Sequence, residues 1–118
     1  MISFTDRTIT VDGNAIQTSW PILDARETGS AVYVLLDPES YLGDSQYRKE
    51  RRAGMPAVRN LIAIDRSGNT LWTAEMPKEA DYYYRIISVV PLVANSFSSF
   101  RCELDAKSGK ILGKEFFK

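Results

Sequence analysis

Residues 61–75 read LIAIDRSGNTLWTAE, and residues 100–116 read FRCELDAKSGKILGKEF. Each is an alternating strand that ends in Asp, a short turn with Ser-Gly at its centre, and a second alternating strand. Aligned on Asp65 and Asp105, the two copies lie about forty residues apart, with one residue inserted in the second turn. The glycine supplies a position that tolerates positive φ, and the Asp carboxylate can accept hydrogen bonds from the turn amides. A further strand precedes each copy: AVYVLLD before the first and RIISVVPLV before the second.

The same alternation runs through most of the chain. ISFTDRTITV, the turn Asp12-Gly13-Asn14 and AIQTSW predict a hairpin, because Asp-Gly between alternating runs is a strong turn signal. PILDA and AVYVLLD follow on either side of a turn cluster, the second apolar enough to lie centrally in a sheet. YYYRIISVVPLV predicts one long strand, with Pro91 marking an edge, a bulge or its end. The expectation is an all-β domain of about nine strands, with no long helix. It would form two small antiparallel sheets packed face to face, or one strongly curved sheet, built from repeated hairpins. Inward positions would include Ile9, Val11, Ile16, Val32, Val34, Leu61, Ala63, Leu71, Ile86, Val89, Phe100, Cys102, Leu104 and Leu112. Residues 38–57, PESYLGDSQYRKERRAGMPA, break the pattern and form a long insertion loop, with a helical turn near 45–52 as one option.

The segments AVYVLLD, NLIAIDRSGNTLW and ELDAKSGKIL resemble the strand-turn-strand blade repeats of the pyrroloquinoline-quinone-type β-propellers, whose turns carry Asp and Gly and are followed by Leu-Trp. The likeness covers Ala31 to Phe117, apart from the insertion; Trp72 matches the pattern, while Gly113 stands at the equivalent place in the second copy. What the resemblance implies is local blade geometry. Two repeats cannot close a ring, which takes at least four blades, so the family's quinone and ring-centre calcium do not carry over.

Composition narrows the functional classes. The 118 residues make one domain, with Lys+Arg and Asp+Glu at 15 each, so no overall field favours nucleic acid or an anionic membrane. No apolar run approaches the roughly 18 residues of a membrane span, and MISFTDRT lacks the order of a secretion signal. The single cysteine, Cys102, sits on an alternating strand as a small buried hydrophobe, and its solitude fits a reducing, cytoplasmic compartment. The absence of histidine removes the commonest general base and metal ligand. Neither a cofactor nor a metal is expected, and no carboxylate pair has a spacing that defines catalysis.

Two clusters are candidates for binding a protein partner. At the entry to the insertion and within it, Asp37, Glu39 and Asp44 precede the basic run Arg48 to Arg52, and Tyr41 and Tyr47 offer rigid contact area. In EMPKEADYYYR, Glu75, Glu79 and Asp81 precede Tyr82 and two further tyrosines. A single-domain, histidine-free β protein with a bipolar loop and acid-tyrosine patches resembles small bacterial immunity proteins. The function this implies is a non-enzymatic module that binds and blocks a cognate toxin, a nuclease for preference, as a heterodimer. The alternative is a small-molecule or carbohydrate binder that uses Trp20 or Trp72 as a stacking platform.

Overall fold

The computed structural model describes residues 1–38, 59–78 and 81–117, and these form eleven strands. Strands β1 (Ile2–Thr5), β2 (Thr8–Val11) and β3 (Asn14–Gln17) make a three-stranded sheet, called A. Strands β4 (Ile22–Glu27), β5 (Ala31–Leu36), β6 (Leu61–Asp65) and β7 (Thr70–Thr73) make a four-stranded sheet, B. Strands β8 (Tyr83–Val89), β9 (Leu92–Ser96), β10 (Phe100–Leu104) and β11 (Ile111–Phe116) make a second four-stranded sheet, C. Each sheet is an antiparallel meander in chain order, and none closes on itself.

The all-β expectation of small antiparallel sheets holds, with three sheets where two, or one strongly curved sheet, were expected. The added sheet comes from the N-terminal segment, where Asp6 at φ 49° turns the chain between β1 and β2 and divides what the sequence presents as one strand. Asp12 and Gly13, at φ 50° and 86°, then make the two-residue loop into β3, as a type I′ hairpin requires. The long strand expected over YYYRIISVVPLV is likewise a hairpin: Val89 pairs with Leu92 across a cis Val90–Pro91 peptide. The insertion at 38–57, apart from Pro38, lies outside the described residues together with its helical turn.

The sheets stack in three layers with B in the middle. One core joins B to C: Tyr33, Leu35, Leu61, Ala63 and Trp72 meet Tyr83, Ile86, Leu92, Cys102 and Leu104. The other joins A to B, where Ile9 and Val11 meet Ile22, Val32, Val34, Leu36 and Ile64. All six residues of β5 are therefore buried, alternate side chains serving opposite cores, which is why AVYVLL reads as an unbroken apolar run.

The doubled hairpin makes the interlayer joints. In the first copy Asp65 Oδ1 accepts the Ser67 and Asn69 amides, each at 2.9 Å; in the second Asp105 Oδ1 accepts the Lys107 amide at 2.9 Å. Gly68 and Gly109 occupy φ 96° and 73° in the two turns. Each turn then rests on the edge strand of the preceding layer. A Cβ placed on Gly68 would stand 3.0 Å from Ile16 Cγ1 of β3, and one on Gly109 would stand 2.4 Å from Trp72 Cε3 of β7. The Trp72 indole N–H also donates to Ala106 O at 2.9 Å. Arg66 in the first turn adds a polar tie to sheet A, pairing with both Asp12 oxygens at 2.6 and 2.8 Å and with Glu27 at 2.9 Å.

Each copy also carries a bulge at the same place. Thr70 pairs with Ile64 and Trp72 with Ala63, leaving Leu71 as the extra residue; Ile111 pairs with Leu104 and Gly113 with Glu103, leaving Leu112. Both leucines turn to solvent, 51% and 62% exposed, so these two members of the expected core are surface residues. Beyond the bulge, Trp72 faces sheet C, whereas its counterpart Gly113 lies opposite the exposed Glu103 on the outer face of the last layer. With a glycine and charged neighbours at that position, sheet C ends the stack with a polar outer face, as terminal repeats of stacked architectures do.

Candidate interaction surface

The β9–β10 connection concentrates exposed aromatic surface at one end of sheet C. Ser96 to Ser99 form a tight turn: the Ser99 amide donates to Ser96 O at 3.1 Å, and Ser99 takes φ 71°. Asp81 pins this turn from the side, its Oδ1 accepting the Tyr82 amide at 2.8 Å and the Ser98 amide at 3.1 Å. The Phe97 amide donates to Tyr82 O at 2.9 Å, and the Tyr82 and Phe97 rings stack with centroids 5.0 Å apart. On the other side of the turn, the Phe117 amide donates to Ser99 O at 2.8 Å. Phe100 meets Phe116 edge to face at 5.7 Å.

Tyr82, Phe97, Phe100, Phe116 and Phe117 thus span the four strands of sheet C at this end. Phe97 is 66% exposed and Phe116 61%. Two cations sit against the rings, Arg101 over Phe117 at 5.2 Å and Lys114 over Phe100 at 5.1 Å. Arg101 also donates to Asn95 Oδ1 at 3.3 Å, and Lys114 to Pro77 O at 3.1 Å, so both are held in place. Rigid aromatic area framed by positioned cations is the composition of a protein-binding hot spot.

The structure distributes the expected contact residues unevenly. Tyr82 belongs to this surface, half-buried against Phe97. Asp81 underlies it, 5% exposed, and serves the turn amides in place of presenting a surface charge. Glu75 lies at the opposite end of β11, where its Oε1 accepts the Ile111 amide at 2.9 Å and its backbone O accepts the Tyr83 hydroxyl at 2.6 Å. Asp37, half-buried after β5, donates its amide to Pro21 O at 2.8 Å. Glu39, Tyr41, Asp44, Tyr47 and Glu79 lie outside the described residues. Phe97, Phe116 and Phe117 were legible only as strand-end aromatics; a phenylalanine in a serine-rich turn, SFSS, was the one signal that pointed to exposure.

Asn60 also escapes a reading of the sequence. Fully buried between sheets B and C, its Nδ2 donates to Leu36 O at 3.0 Å and to Tyr83 O at 2.5 Å, and its Oδ1 accepts the Tyr83 amide at 2.9 Å. It therefore completes the hydrogen bonding where β5 ends and β8 begins. Among the described residues no three carboxylate or thiol groups converge in a way that could hold a metal ion.

Fold and surface together define a three-layer antiparallel β domain with one aromatic-rich end. The chain belongs to the family described as Domain of unknown function (DUF7957), which matches residues 1–116. No curated protein and no solved structure matches it. Among the described residues, no helix is long and apolar enough to cross a membrane.

Proposed function

We propose that this domain is a non-enzymatic protein-binding module, acting as a cytoplasmic immunity protein that binds and blocks a cognate bacterial toxin. The supporting observation is the aromatic end of sheet C, where Phe97 and Phe116 are exposed, Tyr82 stacks on Phe97, and Arg101 and Lys114 lie over the Phe117 and Phe100 rings. A rigid sheet end anchors such a contact well: the rings are held by packing and turn hydrogen bonds, so little side-chain entropy is lost on docking. The acidic stretches around Asp37 and Glu75 are the source of the nuclease preference, since carboxylates can occupy a cleft shaped for phosphate.

The test is co-expression with the product of the adjacent reading frame, followed by gel filtration and titration calorimetry. A 1:1 complex of nanomolar affinity, weakened at least 100-fold by Phe97→Ala with Phe116→Ala and paired with loss of protection from toxicity, supports the reading. No complex, or an affinity unmoved by the double substitution in a folded variant, overturns it.

A further inference from the structure

The two interlayer joints are built alike and filled differently. Between B and C, Trp72 lies beneath the second turn and its indole occupies the wedge where the layers splay. Between A and B, Ile16 takes the equivalent place beneath the first turn. An isoleucine side chain fills much less of such a wedge than an indole. What remains is an open cleft of about 280 Å³, bordered by Ile16, Ile62, Ile64, Thr73 and Trp20. Among the described residues, Arg59 is the one charged residue that lines it, and no carboxylate does.

We propose that this cleft binds a small flat monoanion, an aromatic carboxylate of about a dozen non-hydrogen atoms. The volume lies near the lower end of the roughly 300–1,000 Å³ typical of ligand pockets, which sets the size. The isoleucine side chains and the Trp20 ring offer apolar wall for a ring, and the hydroxyls of Thr18, Ser19 and Thr70 make the rest of the lining polar. The Arg59 guanidinium, which no carboxylate among the described residues pairs with, selects the carboxylate, which it can meet with two parallel hydrogen bonds. Thr73 adds a hydroxyl for orientation. The cleft lies between A and B, away from the aromatic end of C, so this proposal is independent of the protein-binding one.

Titration of the full chain with indole-3-acetate and 4-phenylbutyrate, followed by isoleucine-methyl NMR and calorimetry, tests it. The expected result is saturable shifts of the Ile16, Ile62 and Ile64 methyls with a Kd on the order of 100 μM. The matched neutral indole-3-acetamide should bind about tenfold more weakly. Arg59→Gln should bring the acid down to the affinity of the amide and leave the amide unchanged. Ile16→Trp, which supplies the missing indole, should abolish both; if that variant does not fold, Arg59→Gln with the acid–amide comparison decides. Absence of saturation by 10-fold above the expected Kd, equal affinity for acid and amide, or methyl shifts that follow protein concentration and so report self-association, each overturns the proposal.

Discussion

Trp72 and Gly109 are in such close register that the ring carbon Cε3 lies 2.4 Å from where a Cβ on Gly109 would be. The position also holds φ 73°, which disfavours any side chain. Gly109→Ala therefore combines backbone strain with overpacking against an indole that is fixed by its bond to Ala106 O. The expected cost is about 2–4 kcal/mol in urea unfolding. Gly68→Ala meets Ile16 at 3.0 Å, a branched side chain that has the open cleft to move into. Its cost should be about 1–2 kcal/mol, and a larger loss for Gly68 than for Gly109 would contradict this account of the joints.

Asn60→Ala and Asn60→Leu should cost nearly the same, about 2–4 kcal/mol each, because what is lost is hydrogen bonding at a buried site and not volume. Both substitutions strand the Tyr83 amide and carbonyl where β8 begins. Chemical denaturation of the two variants, with amide exchange at Tyr83, checks the prediction; full recovery of stability by leucine would refute it.

Burial pushes both the Tyr83 phenol and the Cys102 thiol above their ordinary values of 10.0 and 9.0. A raised pKa in the folded state means that the folded chain keeps its proton where the unfolded chain loses it. Their contribution is thus complete below pH 9 and falls as pH rises beyond 9 to 10. Tyr83→Phe should be about 1 kcal/mol less stable at pH 7, through loss of the bond to Glu75 O, yet flatter in its alkaline limb. Ellman's reagent should label Cys102 slowly in the native protein and promptly in urea.

The acid limb has a different origin. Hydrogen bonds from Arg66 hold the Asp12 and Glu27 carboxyls below their ordinary values, and the Asn69 amide does so for Asp65. Depressed values give stability that is present above about pH 4 and lost as pH falls through the folded values. These groups are solvent-exposed, so the effect should be small and sensitive to salt. Arg66→Gln should flatten the decline in urea midpoint between pH 5 and 3 at low salt, and about 1 M NaCl should bring wild type and variant together.

The local chemistry of the fold was legible because it is written in short-range signals. Asp65 with Gly68, Asp105 with Gly109 and Asp12 with Gly13 turn where the sequence places turns. Cys102 is buried, as its alternating strand implied. What was not legible depends on single residues acting at close quarters. Asp6 and the Val90–Pro91 pair each reverse the chain inside runs of uninterrupted strand pattern, so the strand count came out low. The bulges reverse the facing of Leu71 and Leu112, a change that period-two reasoning cannot detect. The aromatic end of sheet C was the least legible part: Tyr82 was among the expected contact residues, but the exposure of Phe97 and Phe116 follows from which strands meet at one sheet end.

Because sheet B alone touches both cores, the layers do not share their fate equally. Loss of A uncovers one face of B and leaves the B–C core whole, while loss of B dismantles everything. The molecule therefore has a weak side and a strong side. Backbone amides of β2 should trade their hydrogens with solvent well before those of β5 and β6, through partial openings in which the first seventeen residues peel away and sheets B and C stay folded.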